Sequence, residues 1–175
     1  MDYLFTLSEK LIIRLDYFLP FYVNYYSNLV EEEIKLAGII ESTKVLHVGS
    51  GSIPSTPILI AKKTKAKITG IDNDLKAIKN SRKCIKKLDL TDYIDIKKID
   101  AMDISIKDFG LILISHGIVP KKLFLENLSK KISKENIIIL RSFSKNSNLE
   151  SEYLFLKDIF TIENIIDNKK NGSVI

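Results

Sequence analysis

Residues 45–57 read VLHVGSGSIPSTP, and this stretch decides the fold. Val45 to Val48 reads as a buried strand. Gly49 and Gly51 follow at once, and glycine lets a backbone turn sharply and approach a ligand where a side chain would collide. Thr56 and then Pro57 resemble an N-cap followed by proline at the first helical position, which predicts a helix to about Lys63. A strand, a glycine turn and a helix open an α/β unit whose ligand sits at the carboxyl end of the strand. The third glycine of a dinucleotide fingerprint is missing, because Ile53, Pro54 and Ser55 stand there. Two glycines alone are also compatible with a plain tight turn.

Outward from this stretch, strands and helices alternate. Ile68 to Ile71 is predicted as the second strand, and Asn73 or Asp74 as the cap of a helix to about Leu88. Tyr93 to Ile99, Gly110 to Ser115 and Ile137 to Leu140 are the next three strands, with a helix from Pro120 to Ile132 before the last of them. Leu149 to Lys157 is a final helix, and Ile159 to Ile166 with Ser173 to Ile175 reads as a closing hairpin. The expected fold is α/β and Rossmann-like, a central, mostly parallel sheet with helices on both faces. Residues 43–175 form this unit. Residues 1–42 differ and read as a small N-terminal helical cap of the same domain. The cap is rich in tyrosine and phenylalanine, and Leu4, Leu7, Leu11 and Ile12 are spaced like one helix face. Pro20 breaks that pattern, and a second helix is predicted from Phe21 to Ala37, stopping at Gly38.

Composition bounds the function classes. The chain has 175 residues, 45% of them hydrophobic and 28% charged, which suits one globular domain. A single cysteine, Cys84, excludes a disulfide framework, and no Cys/His cluster has metal-ligand spacing. A reducing, cytoplasmic setting is expected. The first residues carry an acid where a secretory signal would be basic, and no apolar run approaches the ~18 residues of a membrane span. The net charge of +5 raises the question of nucleic acid. The lysines fall in scattered pairs, such as Lys62-Lys63, Lys97-Lys98 and Lys130-Lys131, without interleaved aromatics. That pattern favours a solvated surface and a small-molecule partner.

The strand ends carry the candidate chemistry. Asp72 lies close to the ~20-residue spacing at which an acid meets ribose hydroxyls, with Asn73 beside it and Asp74 the better pure cap. Asp100 could accept from an adenine amino group while Ala101 and Met102 pack on the ring. Ser115 and His116 follow the fourth strand, where a histidine is either a base or a satisfied polar group. Arg141 follows the fifth and could clamp an anion such as a substrate carboxylate. His47, inside the first strand, is expected to be a hydrogen-bonded core or edge residue, and Cys84 a small apolar filler.

The succession VLHVGSG, ITGIDND and IDAMDI resembles the class I S-adenosylmethionine-dependent methyltransferases. Those enzymes usually have an acid where His47 stands, and SHGIVP replaces the Asn/Asp-Pro-Pro-Tyr signature of amide and base methylation. Within that superfamily, VGSGSIPSTPILIA, ILRSFS and the tyrosine-rich PFYVNYYSNLVEEE are similar to segments of the nicotianamine synthase family. The resemblance implies S-adenosylmethionine as group donor, held by Gly49, Ser50, Gly51, Ile53, Pro54, Asp72, Asn73, Asp100, Ala101 and Ser115. It implies transfer of the 3-amino-3-carboxypropyl group onto an amine, with release of methylthioadenosine. Tyr22, Tyr25 and Glu33 would then lie near the reacting centre, Arg141 would meet substrate, and Glu9 would orient or deprotonate the nucleophile, with His116 a further candidate. Methyl transfer and a non-catalytic nucleotide- or partner-binding module are the alternatives. A second subunit completing the cap, in a homodimer, is also expected.

Overall fold

The computed structural model describes residues 19–142, 149–166 and 172–174. Among these residues two short helices come first, α1 (Leu19–Tyr25) and α2 (Ser27–Leu36). Five strands and four helices then alternate in large part: β1 (Lys44–Val48), α3 (Ser55–Thr64), β2 (Lys67–Asp72), α4 (Leu75–Lys87), β3 (Ile94–Lys98), β4 (Leu111–Ile114), α5 (Lys121–Ser129), β5 (Ile137–Ser142) and α6 (Leu149–Ile159). Two short strands close the chain, β6 (Ile165–Ile166) and β7 (Gly172–Val174).

The sheet runs β3-β2-β1-β4-β5-β7-β6. Strands β1 to β5 pair in parallel, and β7 is antiparallel to both β5 and β6. The chain builds outward from β1 to β3, then crosses back to place β4 on the other side of β1. That reversal opens a crevice at the carboxyl ends of β1 and β4.

The central strands β1 and β4 are apolar on both sides because both sides are covered, whereas β3 at the sheet edge alternates buried isoleucines with exposed charged residues. Val45, Leu111, Leu113 and Ile139 share one core with Val23, Val30, Ile58 and Ile78, so α1 to α4 lie on that face. Leu46, Val48, Ile112, Ile114 and Leu140 share the other with Phe124, Leu125, Leu128 and Leu156 of α5 and α6. Period-two alternation therefore assigns His47, Ser115 and Arg141 to the face that carries the N-terminal helices.

The structure corrects several boundaries. The predicted helix over residues 21–37 is two helices, broken at Tyr26. Pro20 lies within α1, and the helix expected before it, with Leu4, Leu7, Leu11 and Ile12, lies outside the described residues. Pro54, not Thr56, is the N-cap of α3, so Pro57 is the third helical residue. The closing hairpin has a much shorter first strand, since Ile159 still belongs to α6. Gly38 does end α2: it takes φ +59°, and the Ile39 N–H returns to the Ile34 carbonyl, a Schellman closure. Asp74 is the cap of α4, accepting from the Lys76 amide at 2.8 Å. Among the described residues no helix is long and apolar enough to cross a membrane.

Candidate functional site

The glycine turn is built by β1 and anchored to β2. The amides of Gly49 and Ser50 both donate to the Ile71 carbonyl, at 2.9 and 3.0 Å. Gly49 and Gly51 take φ of +77° and +67°, which favours glycine at both places. Their surroundings differ. A Cβ on Gly49 would stand 2.7 Å from Ile118 Cδ1 and 3.3 Å from Ser115 Cβ, so that residue is pinned between the loop and the end of β4. A Cβ on Gly51 would meet nothing within 4 Å, so the turn presents bare backbone to open space.

Asp72 holds this turn in shape. Its Oδ2 accepts from the Gly51 amide at 2.8 Å and its Oδ1 from the Asp74 amide at 3.0 Å. One half-buried carboxylate thus ties the loop after β1 to the start of α4. An ionised carboxylate offers about four lone-pair positions, so acceptor capacity remains for a pair of hydroxyls. The adjoining positions complete the rim. Asn73 is exposed. Asp100 is exposed too, and its Oδ1 accepts from the Met102 amide at 2.9 Å, which shapes the loop after β3. Ala101 and Met102 pack against the core on the α5 side. Ile53 departs from expectation: its side chain turns into the core beneath α1 to α3, and Pro54 is buried beside it.

Glu33 and Arg141 were expected to serve as a reacting-centre carboxylate and a substrate clamp, and the structure makes them each other's partner. Arg141 donates from Nε to Glu33 Oε1 at 2.9 Å and from Nη2 to Glu33 Oε2 at 2.7 Å. Its Nη1 donates to Thr56 Oγ1 at 2.7 Å. The bidentate fork matches a carboxylate that α2 delivers from within the chain, so the anion Arg141 holds is Glu33. Both residues are buried, and the pair fastens α2 and the first turn of α3 to the end of β5.

The aromatic residues of the cap pack on one another. Tyr22 and Tyr25 each meet the Tyr26 ring edge-on, with centroids 5.8 and 5.2 Å apart. Tyr22 is half-buried, whereas Tyr25 and His116 are exposed. Glu9 lies outside the described residues. Two further residues of the site carry no signal of their partners in the local sequence. Thr56 reads there only as a cap. His47 reads only as a buried polar residue, although it stands where similar enzymes carry an acid. Its Nε2 lies 3.0 Å from Ser115 Oγ.

Burial, and secondarily the positive charge of Arg141, pushes the His47 pKa down to about 3, so the imidazole is neutral in the native state. An unfolded histidine titrates near its ordinary value of 6.5. Below that value the unfolded chain binds a proton that the folded chain refuses until about pH 3, so stability falls as pH falls through this window. The slope is about 1.4 kcal/mol per pH unit. Between pH 7 and pH 5 the wild-type chain is expected to lose about 2 kcal/mol more than His47→Gln, as read by denaturant unfolding at each pH. Equal losses would contradict the buried neutral imidazole.

With this geometry in view, the comparisons with known proteins are decisive. The family described as nicotianamine synthase protein matches residues 4–165. The chain belongs to the nicotianamine synthase family. The L-histidine 2-aminobutanoyltransferase of Yersinia pestis is 26% identical over 121 residues, covering 69% of this chain and 45% of that protein. A mutant of MtNAS solved in complex with S-adenosylmethionine superposes with a TM-score of 0.70 at 19% identity, over 85% of this chain and 60% of that one. An S-adenosylmethionine-dependent methyltransferase from Aquifex aeolicus superposes with a TM-score of 0.67 at 20% identity, over 83% of this chain and 87% of that one. These likenesses establish the shared Rossmann-like methyltransferase fold. The chain spans 45% of the Yersinia protein and 60% of MtNAS.

Proposed function

We propose that this nicotianamine synthase family member transfers the 3-amino-3-carboxypropyl group of S-adenosylmethionine to the amine of a small amino-acid-like acceptor. The observation that carries the reading is the family match over residues 4–165, laid on a site whose glycine turn faces open space beside Asp72. The residues present fit the donor. Gly49, Ser50 and Gly51 supply a close backbone approach, Asp72 and Asn73 stand at the ribose position, and Asp100 and Ala101 stand where the base would lie. When bound, the donor supplies a sulfonium whose neighbouring carbons are open to attack by an amine, with neutral methylthioadenosine as leaving group.

The chain's contribution is positioning and the exclusion of water. The Glu33–Arg141 pair holds the cap helices over the sheet face that carries His47 and Ser115. Tyr22 and Tyr25, on the helix entering that cap, are the candidates to meet the acceptor, and Glu9 and His116 to take its proton. The Yersinia relative is a histidine aminobutanoyltransferase, which supports an amino-acid acceptor. The test is to incubate the protein with S-adenosylmethionine and single amino acids, and to look by mass spectrometry for an acceptor enlarged by one aminocarboxypropyl group. An acceptor enlarged by a methyl group overturns the reading in favour of a methyltransferase. Absence of any donor binding leaves a partner-binding module.

A further inference from the structure

His47 lies inside the site, and the proposed contacts to the donor leave it without a role. Only 4% of its surface is exposed, and among the described residues Nδ1 meets no hydrogen-bond partner. Its Nε2 sits 3.0 Å from Ser115 Oγ, and Arg141 supplies a positive field from β5 on the same sheet face. A neutral imidazole carries one proton, and its position decides what the neighbouring hydroxyl does. A proton on Nδ1 would be a buried donor with no acceptor among the described residues. A proton on Nε2 is donated to Ser115 Oγ and leaves Nδ1 as a bare lone pair. Buried orphan N–H groups are rarer than under-used acceptors, so the Nε2–H form wins.

That tautomer constrains Ser115. With Oγ accepting from His47, the serine O–H turns away from the ring. Ser115 is half-buried at the carboxyl end of β4, with its Cβ 3.3 Å from where a Cβ of Gly49 would stand. Ser115 therefore stands on the side of β1 opposite Asp72, roughly two strand spacings, about 10 Å, from the ribose position. We infer that His47 is a positioning residue that fixes the Ser115 hydroxyl as a hydrogen-bond donor to an oxygen of the donor's amino-acid arm. This inference rests on the proposed donor, but not on which carbon is transferred.

The test compares two ligands by calorimetry. S-adenosylmethionine carries the amino-acid arm and methylthioadenosine lacks it. His47→Phe and Ser115→Ala are each expected to weaken S-adenosylmethionine binding about tenfold, the loss of one hydrogen bond, and to leave methylthioadenosine binding within about twofold. His47→Gln, whose amide nitrogen can replace the Nε2 donor, is expected to stay near wild type. The His47→Phe, Ser115→Ala double variant should bind no worse than Ser115→Ala alone. Nitrogen-15 NMR of the free protein should show the His47 proton on Nε2. A His47→Phe effect that is equal for both ligands, or that persists in full on Ser115→Ala, overturns the inference, as does an Nδ1–H tautomer. A wild-type chain that binds neither ligand overturns it together with the proposed donor. Binding of S-adenosylmethionine without release of methylthioadenosine overturns only the transfer reaction, and the affinity differences still decide the role of His47.

Discussion

Arg141→Met is expected to destabilise the fold by about 3–5 kcal/mol, because it removes the bidentate guanidinium partner of the buried Glu33 carboxylate. Glu33 is fully buried, and both of its oxygens accept from the one guanidinium. The variant keeps the bulk of the side chain, so the loss measures the missing charge and not a cavity. Replacing both partners, as Glu33→Leu with Arg141→Met, should recover about 2 kcal/mol or more of that loss, since the buried carboxylate is removed together with its guanidinium. Chemical denaturation of the two variants beside wild type checks both statements. A single variant as stable as wild type, or a double variant no better than the single, would contradict the pairing.

The second large effect falls on binding. Asp72→Asn is expected to weaken S-adenosylmethionine binding about 100-fold, near 3 kcal/mol, while the chain stays folded. Asp72 receives the amides of Gly51 and Asp74 on separate oxygens. Asparagine has one oxygen, so one of the two amides must face an NH2 group, and the glycine turn loses an anchor. The charge that would accept ribose hydroxyls is lost as well. Calorimetric titration reads the affinity, and circular dichroism reads the fold. Unchanged affinity would remove Asp72 from the donor site.

The fold was legible because its signals are local. The apolar run Leu111 to Ile114 reads as a strand buried on both faces and Ile137 to Leu140 as its neighbour, and Gly49 and Gly51 mark the turn that follows the first of the strands. Helix starts were less legible. Thr56-Pro57 satisfies the local rule for a helix beginning, yet the helix begins at Ser55 after Pro54. The break at Tyr26 leaves no mark in the apolar spacing. In the site, the position of each residue followed from the strand ends, but its partner did not. Glu33 and Arg141 are 108 positions apart, and only the packing of α2 against the end of β5 brings them together. Nothing in either local sequence distinguishes a substrate clamp from an internal ion pair. His47 is the same case: the strand pattern shows that it is buried, while its hydroxyl partner lies 68 positions away.

The central claim is that the chain moves the aminocarboxypropyl group of S-adenosylmethionine. The direct measurement is the nucleoside released when the wild-type protein is incubated with S-adenosylmethionine and an amino-acid acceptor. Aminocarboxypropyl transfer releases methylthioadenosine, which is expected in proportion to enlarged acceptor. S-adenosylhomocysteine as the released nucleoside would contradict it.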